Sequence, residues 1–144
     1  MGIALKEVRD RGKPYVGYVR TGNYIYLSGH GPEWEGKVWA GKVGAEYTVE
    51  EGYEAARGCA LNLLSTLASA IGDLGRVKQI VKVLGFVNCE AGFANQPEVI
   101  NGCSDLLREL FGEQKGRHAR SAIGVNALPR NMPVEIEMIV EIEP

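Results

Sequence analysis

The segment from Val134 to Ile142 constrains the fold of this chain more than any other. Aliphatic and acidic residues alternate along it, and a period of two requires a β-strand with two different faces. One face would carry Val134, Ile136, Met138, Val140 and Ile142, and the other Glu135, Glu137, Ile139 and Glu141. We therefore predict a sheet with one buried face and an opposite face that is solvated, or that lines an assembly or a binding site.

Shorter patterns predict the other strands. Thr21-Gly22 suits a two-residue hairpin turn, because glycine accepts the positive φ that such a turn requires. The two glycines in Ser28-Gly29-His30-Gly31 predict a bulge or a strand end, or a place where the backbone approaches a ligand. The predicted strands are Tyr15–Arg20, Asn23–Ser28, a hairpin within residues 34–43 that turns at Glu35-Gly36, Ile80–Val87, and a strand that follows the cationic turn at Arg117–Ala122.

Thr48 begins the longest helical pattern of the chain. Thr48 and Glu51 have the spacing of a capping box. The apolar residues that then recur every three or four positions are Tyr53, Ala56, Ala60, Leu63, Leu67 and Ile71. We predict a helix that ends near Ile71 and packs one face on the sheet.

A second helix is predicted to begin at Pro97, with Asn95 or Gln96 as its N-cap, and to end at Gly112. The resulting order of strands and helices predicts an α+β fold, in which one mixed sheet carries both helices on a single face. The opposite face would stay uncovered in a monomer. Sheets of this kind are usually hidden by oligomerisation.

The composition excludes several classes of protein. The 144 residues predict a single domain, residues 1–144, and the net charge of −2 provides no basic surface for nucleic acid. No apolar run reaches the length of a membrane span, and the first residues lack the apolar core of a signal peptide, so we expect a cytoplasmic protein. Cys59, Cys89 and Cys103 lack C-x-x-C spacing and are interpreted as core residues. We predict no metal site and no cofactor.

Several motifs resemble the RidA/YjgF family in their order and approximate spacing. They are Pro14-Tyr15-Val16, Gly22-Asn23, Ser28-Gly29, Ala119-Arg120-Ser121, Leu128-Pro129 and Val134-Glu135-Ile136-Glu137, and together they span nearly the whole chain. The resemblance implies a chorismate-mutase-like fold and a homotrimer around a central barrel, with three sites in the clefts between subunits. It also implies metal-free hydrolysis of reactive 2-imino or enamino acids to 2-keto acids and ammonia.

The resemblance also implies roles for individual residues. Arg120 matches the arginine that binds the substrate carboxylate, a role that suits the two parallel donors of a guanidinium. Glu135 matches the glutamate near the attacking water. The residues that match the substrate-binding pocket are Tyr15, which closes it, Ser28 and Gly29, whose backbone lines it, Asn101, Ser121 and Ala122.

The chain departs from the family pattern at several positions. Ala122 stands where many members have a cysteine, and Lys13 stands where a glycine is frequent before the proline. His118 and the longer segment at Asn95-Gln96-Pro97 indicate a divergent branch. Two other functions therefore stay open: a trimer that binds small carboxylates without catalysis, and a protein that cleaves RNA, which the acidic composition disfavours.

Overall fold

A mixed sheet with two helices on one face forms the protein. The computed structural model describes residues 2–144, and within them it contains five strands and two α-helices. In chain order these are β1 Tyr18–Thr21, β2 Tyr24–His30, α1 Val49–Ile71, β3 Val77–Asn88, α2 Gln96–Lys115, β4 Ala119–Val125 and β5 Val134–Ile142. The strand order is β1-β2-β5-β3-β4, with β3 and β4 parallel and the other pairs antiparallel. The predicted α+β architecture is confirmed.

Strand β5 lies at the centre of the sheet, between β2 and β3. Its five aliphatic residues at alternate positions are all buried against the helices, and Glu135, Glu137, Ile139 and Glu141 point to the opposite, open face. The bounds of β5 and both of its faces are as predicted. Because β5 is hydrogen-bonded to a neighbour on both edges, backbone pairing does not distinguish its two faces. The alternation of aliphatic and acidic side chains therefore determines which face is buried.

Helix α1 begins and ends where the sequence predicts. The Thr48 hydroxyl accepts a hydrogen bond from the Glu51 amide at 3.1 Å, and the Thr48 amide donates to the Glu51 carboxylate at 3.0 Å. The predicted apolar row is buried from Ala56 to Ile71. Tyr53 differs, because its hydroxyl donates to Asp105 of α2 at 2.7 Å and its ring is only half-buried.

Helix α2 begins at Gln96, with Pro97 in its first turn as predicted. Asn95 occupies the N-cap position but makes no side-chain capping bond. The predicted end at Gly112 is only partly correct. Gly112 leaves helical geometry with φ 87°, yet one further turn follows to Lys115, closed by a bond from the Gly116 amide to the Gly112 carbonyl at 2.9 Å.

Three expectations about strands need correction. Residues 34–43 form no strand: their turn at Glu35 and Gly36 is present, with φ of 52° and 79°, but the backbone then bonds to separate segments instead of to itself. The first hairpin turns at Gly22-Asn23, one residue later than predicted, and β1 begins at Tyr18. Strand β3 is longer than predicted at both ends. No helix within residues 2–144 has the length and apolar character to cross a membrane.

Candidate functional site

The candidate site residues lie in two groups on opposite faces of the sheet. Arg120 of β4 is paired with Val83 of β3, whose side chain is fully buried under the helices. Glu135 of β5 is paired with Phe86, three residues further along the same strand. Because side chains alternate along a strand, Arg120 lies on the helix face and Glu135 on the open face. The two groups therefore cannot form one site within a single chain.

Arg120 is held by α2. Its Nη1 donates to Asn101 Oδ1 at 2.7 Å and to Ser104 Oγ at 3.1 Å. Asn101 and Ser104 are three residues apart, so they lie on the same side of the helix, one turn from each other. Within residues 2–144 no carboxylate forms an ion pair with Arg120, whose side chain is half-buried. The structure thus brings Arg120 and Asn101 together, as the resemblance implied.

His118 extends this hydrogen-bonded group. Its Nε2 lies 2.9 Å from Ser104 Oγ, and its Nδ1 lies 2.8 Å from the Gly116 carbonyl oxygen. Burial lowers the pKa of His118; the bond to Gly116 opposes this shift and the charge of Arg120 adds to it. We therefore treat the imidazole as neutral near pH 7.

Glu135 lies against the bulge of β2. Two residues of β2, Ser28 and Gly29, occupy the space opposite one residue of β5, which confirms the predicted bulge. A Cβ atom on Gly29 would lie 2.6 Å from Glu135 Oε2, so a larger residue at this position would displace the carboxylate from where it lies. Burial raises the pKa of Glu135, the charge of Glu137 raises it further, and Arg130 acts in the opposite direction. A carboxyl group of this kind is suited to accepting and returning a proton.

A cleft of about 1100 Å³ adjoins the same bulge and contains three predicted site residues, Tyr15, Ser28 and Gly29. The Ser28 hydroxyl donates to the Val16 carbonyl at 2.6 Å, which fixes the segment that carries Tyr15. The Tyr15 side chain is 60% exposed, so within one chain it closes nothing. Glu135 does not line this cleft and is connected with it through Gly29; we call Tyr15, Ser28, Gly29 and Glu135 the second group.

Ser121 and Ala122 divide between the two faces. Ser121 pairs with Leu84 and shares the open face, whereas Ala122 pairs with Gly85 and lies on the helix face with Arg120. Sequence reasoning missed Ser104. The signal was present in its spacing of three from Asn101, but nothing in the sequence placed that side of α2 over β4. Within residues 2–144 no group of three or more His, Cys, Asp or Glu side chains is arranged to hold a metal ion.

Known proteins are similar to this chain over nearly its whole length. Residues 1–142 match the model of the family described as "YjgF/chorismate_mutase-like, putative endoribonuclease". Protein TCP17 of Trypanosoma cruzi is 44% identical over 143 residues, which cover 99% of this chain and 89% of that protein. The 2-iminobutanoate/2-iminopropanoate deaminase of Dermatophagoides farinae is 30% identical over 132 residues, which cover 90% and 87%.

Among solved structures, the protein Atu1372 of Agrobacterium tumefaciens, whose function is unknown, superposes with a TM-score of 0.91. It is 39% identical, and the match covers 99% of this chain and 88% of that one. The family match and the sequence identities span almost the whole length of the chain, including both groups of candidate residues. The chain therefore belongs to the RidA/YjgF family.

Proposed function

We propose that this protein hydrolyses reactive 2-imino or enamino acids to 2-keto acids and ammonia, at clefts between the subunits of a homotrimer. The observation that carries the proposal is Arg120. It is fixed by two polar side chains of α2 and has no carboxylate partner within residues 2–144. A half-buried guanidinium of this kind suits a ligand carboxylate, to which it can donate two parallel hydrogen bonds.

The separation of the two groups supports a site between subunits. Arg120 and Asn101 of one copy would face Glu135, Gly29 and Tyr15 of its neighbour. The open face of the sheet provides the surface for this contact, because it exposes four large apolar side chains, Val19, Tyr24, Tyr26 and Ile123. An apolar surface of this extent is uncommon on a soluble monomer and is usually covered by a partner.

In the proposed reaction Arg120 binds the substrate carboxylate and so directs the neighbouring C=N carbon toward Glu135. Glu135 accepts a proton from water as the water oxygen bonds to the carbon of the protonated imine, which gives a neutral carbinolamine. Glu135 returns this proton to the amine nitrogen. The C–N bond then breaks with its electron pair leaving on ammonia, and the hydroxyl oxygen becomes the carbonyl as its proton passes to the Glu135 carboxylate and on to solvent. The raised pKa of Glu135 favours this exchange, because the group must both take up and release a proton.

The relative from Dermatophagoides farinae supports the choice of substrate class. Its name, 2-iminobutanoate/2-iminopropanoate deaminase, describes deamination of two small 2-imino acids. The decisive experiment measures ammonia release from 2-iminopropanoate generated in situ, together with the affinity for pyruvate, in four forms: wild type, Arg120→Ala, Arg120→Lys and Glu135→Gln. Arg117→Ala is the matched control, because it removes the same charge from an exposed neighbour.

Arg120→Ala should abolish both pyruvate binding and ammonia release, whereas Arg117→Ala should change neither. Arg120→Lys should restore little, because an ammonium cannot make two parallel bonds to a planar carboxylate. A charge-assisted hydrogen bond contributes about 1.5–3 kcal/mol, so losing two puts a millimolar ligand beyond detection. Glu135→Gln should keep binding and slow hydrolysis. Unchanged pyruvate affinity in Arg120→Ala would defeat the assignment.

A second function is a trimer that binds small carboxylates without catalysis, and Ala122 favours it because the thiol that many family members have two residues after this arginine is absent. Loss of pyruvate binding in Arg120→Ala, with no turnover in wild type, would select this second function. The homotrimer has its own test. Light scattering that returns a stable monomer would remove the proposed intersubunit site in either case.

A further inference from the structure

Arg120, the proposed carboxylate anchor, begins a series of hydrogen bonds that continues through Ser104 and His118 to the Gly116 carbonyl. Arg120 can only donate and the carbonyl can only accept, so the direction of every bond in the series is determined. The Gly116 carbonyl can only accept, so His118 Nδ1 carries the proton and donates to it. Nε2 of the neutral imidazole is then an acceptor, and the Ser104 hydroxyl donates to it. Ser104 Oγ in turn accepts from Arg120 Nη1, since a guanidinium can only donate. Donation therefore runs from Arg120 through Ser104 and His118 to Gly116.

The hydrogen bonds to Nη1 determine which edge of the Arg120 guanidinium remains available to a ligand. Nη1 has two N–H groups, and Ser104 and Asn101 accept one each. Within residues 2–144 no side-chain or backbone acceptor is found for Nε or Nη2 of Arg120. These two nitrogens form one of the fork-shaped edges that match both oxygens of a carboxylate. His118 also orients the Ser104 hydroxyl: the hydroxyl proton points to His118, so the oxygen lone pairs face Arg120.

We propose that Ser104 and His118 are positioning residues that hold Arg120 by Nη1 and so present its Nε–Nη2 edge to the ligand carboxylate. This inference rests on the proposed function, since it assumes that Arg120 binds the ligand. Neither residue touches the reacting atoms. Ser104 acts through Arg120, and His118 acts through Ser104. The contribution is pre-organisation: a side chain that is already ordered loses less entropy when the ligand binds.

The first test needs no ligand. Nitrogen-15 NMR at pH 7.5 should show His118 as the Nδ1-protonated tautomer, and slow rotation of the Arg120 guanidinium about its Cζ–Nη1 bond. Exposed Arg117 is the internal control and should rotate fast. Ser104→Ala should make the rotation of Arg120 faster, because only the Asn101 bond then holds Nη1, whereas Ser104→Thr, which keeps the hydroxyl, should leave it as slow as in wild type. Fast rotation of Arg120 in wild type, or equal rotation in wild type and Ser104→Ala, would overturn the inference.

Two variants of His118 separate its two nitrogens. Asparagine places an amide N–H where Nδ1 lies and keeps the bond to Gly116, but it has no acceptor at the Nε2 position. Glutamine can place its carbonyl oxygen near that position and accept from Ser104. His118→Asn leaves the Ser104 hydroxyl without the acceptor that orients it, so Arg120 should rotate faster than in wild type, and His118→Gln should restore slow rotation. Equal behaviour of the two variants would indicate that His118 has only a packing role.

Pyruvate titration then tests whether the fixed position of the Arg120 guanidinium contributes to ligand affinity. Ser104→Ala and His118→Asn should weaken pyruvate binding by about three- to tenfold, the cost of ordering one long side chain. Ser104→Thr and His118→Gln should remain within about twofold of wild type. If wild type holds Arg120 rigidly but binds no pyruvate, the proposed function fails and the positioning stands. If pyruvate binds equally well to all of these variants, the positioning fails and the proposed function stands.

Discussion

Gly102 of α2 is the position where one added methyl group should cost the fold most. It is buried and faces α1, and a Cβ atom there would overlap the Tyr53 carbonyl oxygen. The same atom would lie 2.9 Å from the Tyr53 carbonyl carbon and 3.1 Å from the Arg57 amide nitrogen. These neighbours are backbone atoms of a 23-residue helix, which cannot turn aside as a flexible side chain can. Gly102→Ala should therefore push α2 away from α1.

The magnitude follows from two opposing effects. Alanine gains about 1 kcal/mol over glycine in a helix interior. Ordinary contact for a Cβ begins at 3.4 Å, so the Tyr53 carbonyl carbon would have to withdraw by about 0.5 Å, and its oxygen by more. Overpacking of a core usually costs about 1–3 kcal/mol, and rigid backbone places this site at or above the upper end. We expect a net loss of about 2 kcal/mol, which for a chain of this size lowers Tm by about 4–8 °C.

Urea unfolding at a fixed protein concentration measures this loss, because an oligomer's stability depends on concentration. Gly52→Ala is the matched control. Gly52 is a buried helical glycine of α1, and the three atoms nearest to its added Cβ would be side-chain methyl groups of Val99 and Val43, at 3.1–3.2 Å. Gly52→Ala should stay within about 1 kcal/mol of wild type. Equal unfolding midpoints for the two variants would show that the helices are not as closely packed as the structure has them.

Three other outcomes are expected. Leu63→Ala should cost about 2–5 kcal/mol through the cavity it leaves, because Leu63 is fully buried in α1; a near-neutral melting result would remove it from the core. Glu135→Gln should be at least as stable as wild type at pH 7. The folded-state pKa of Glu135 is raised, so its protonated form stabilises the fold at low pH and this effect is lost as the pH rises through that pKa. In chemical unfolding, the difference in free energy of unfolding between Glu135→Gln and wild type should therefore decrease toward pH 4. RNA should survive incubation with column fractions across the protein peak, and cleavage that follows the peak and disappears in Arg120→Ala would contradict this.

Local patterns predicted the regular elements well. The capping box at Thr48 and the alternation from Val134 to Ile142 each fix an element by contacts between residues close in sequence, or by a face that must be buried. The prediction of a hairpin within residues 34–43 was wrong because the partners of this segment are distant in sequence. Val43 there donates to the Asn88 carbonyl and Gly41 to the Asn131 carbonyl, so distant segments decide its backbone. A local pattern contains no information about such partners.

The members of the candidate site remain a prediction from motif matches, and their arrangement did not follow from the sequence. The matches name Arg120, Asn101 and Glu135, but their division between two faces depends on the register of β4 on β3 and of β3 on β5. Register is set by packing across the whole sheet, which a single sequence does not reveal. Ser104 was missed for the same reason. Its spacing from Asn101 defines one side of α2, but only the fold places that side over β4.

The absence of a cysteine at position 122 is not compensated by another thiol near Arg120. Cys103 follows Gly102 on α2, but it is fully buried, and burial raises its pKa to about 12. Cys59 is buried as well, and its pKa is also raised. Both groups therefore stay protonated and packed in the core at neutral pH. Both ring nitrogens of His118 are already engaged, Nε2 by Ser104 and Nδ1 by Gly116. In the proposed reaction the proton of water then passes to Glu135 alone, so the pH dependence of hydrolysis should follow the ionisation of that one carboxyl group.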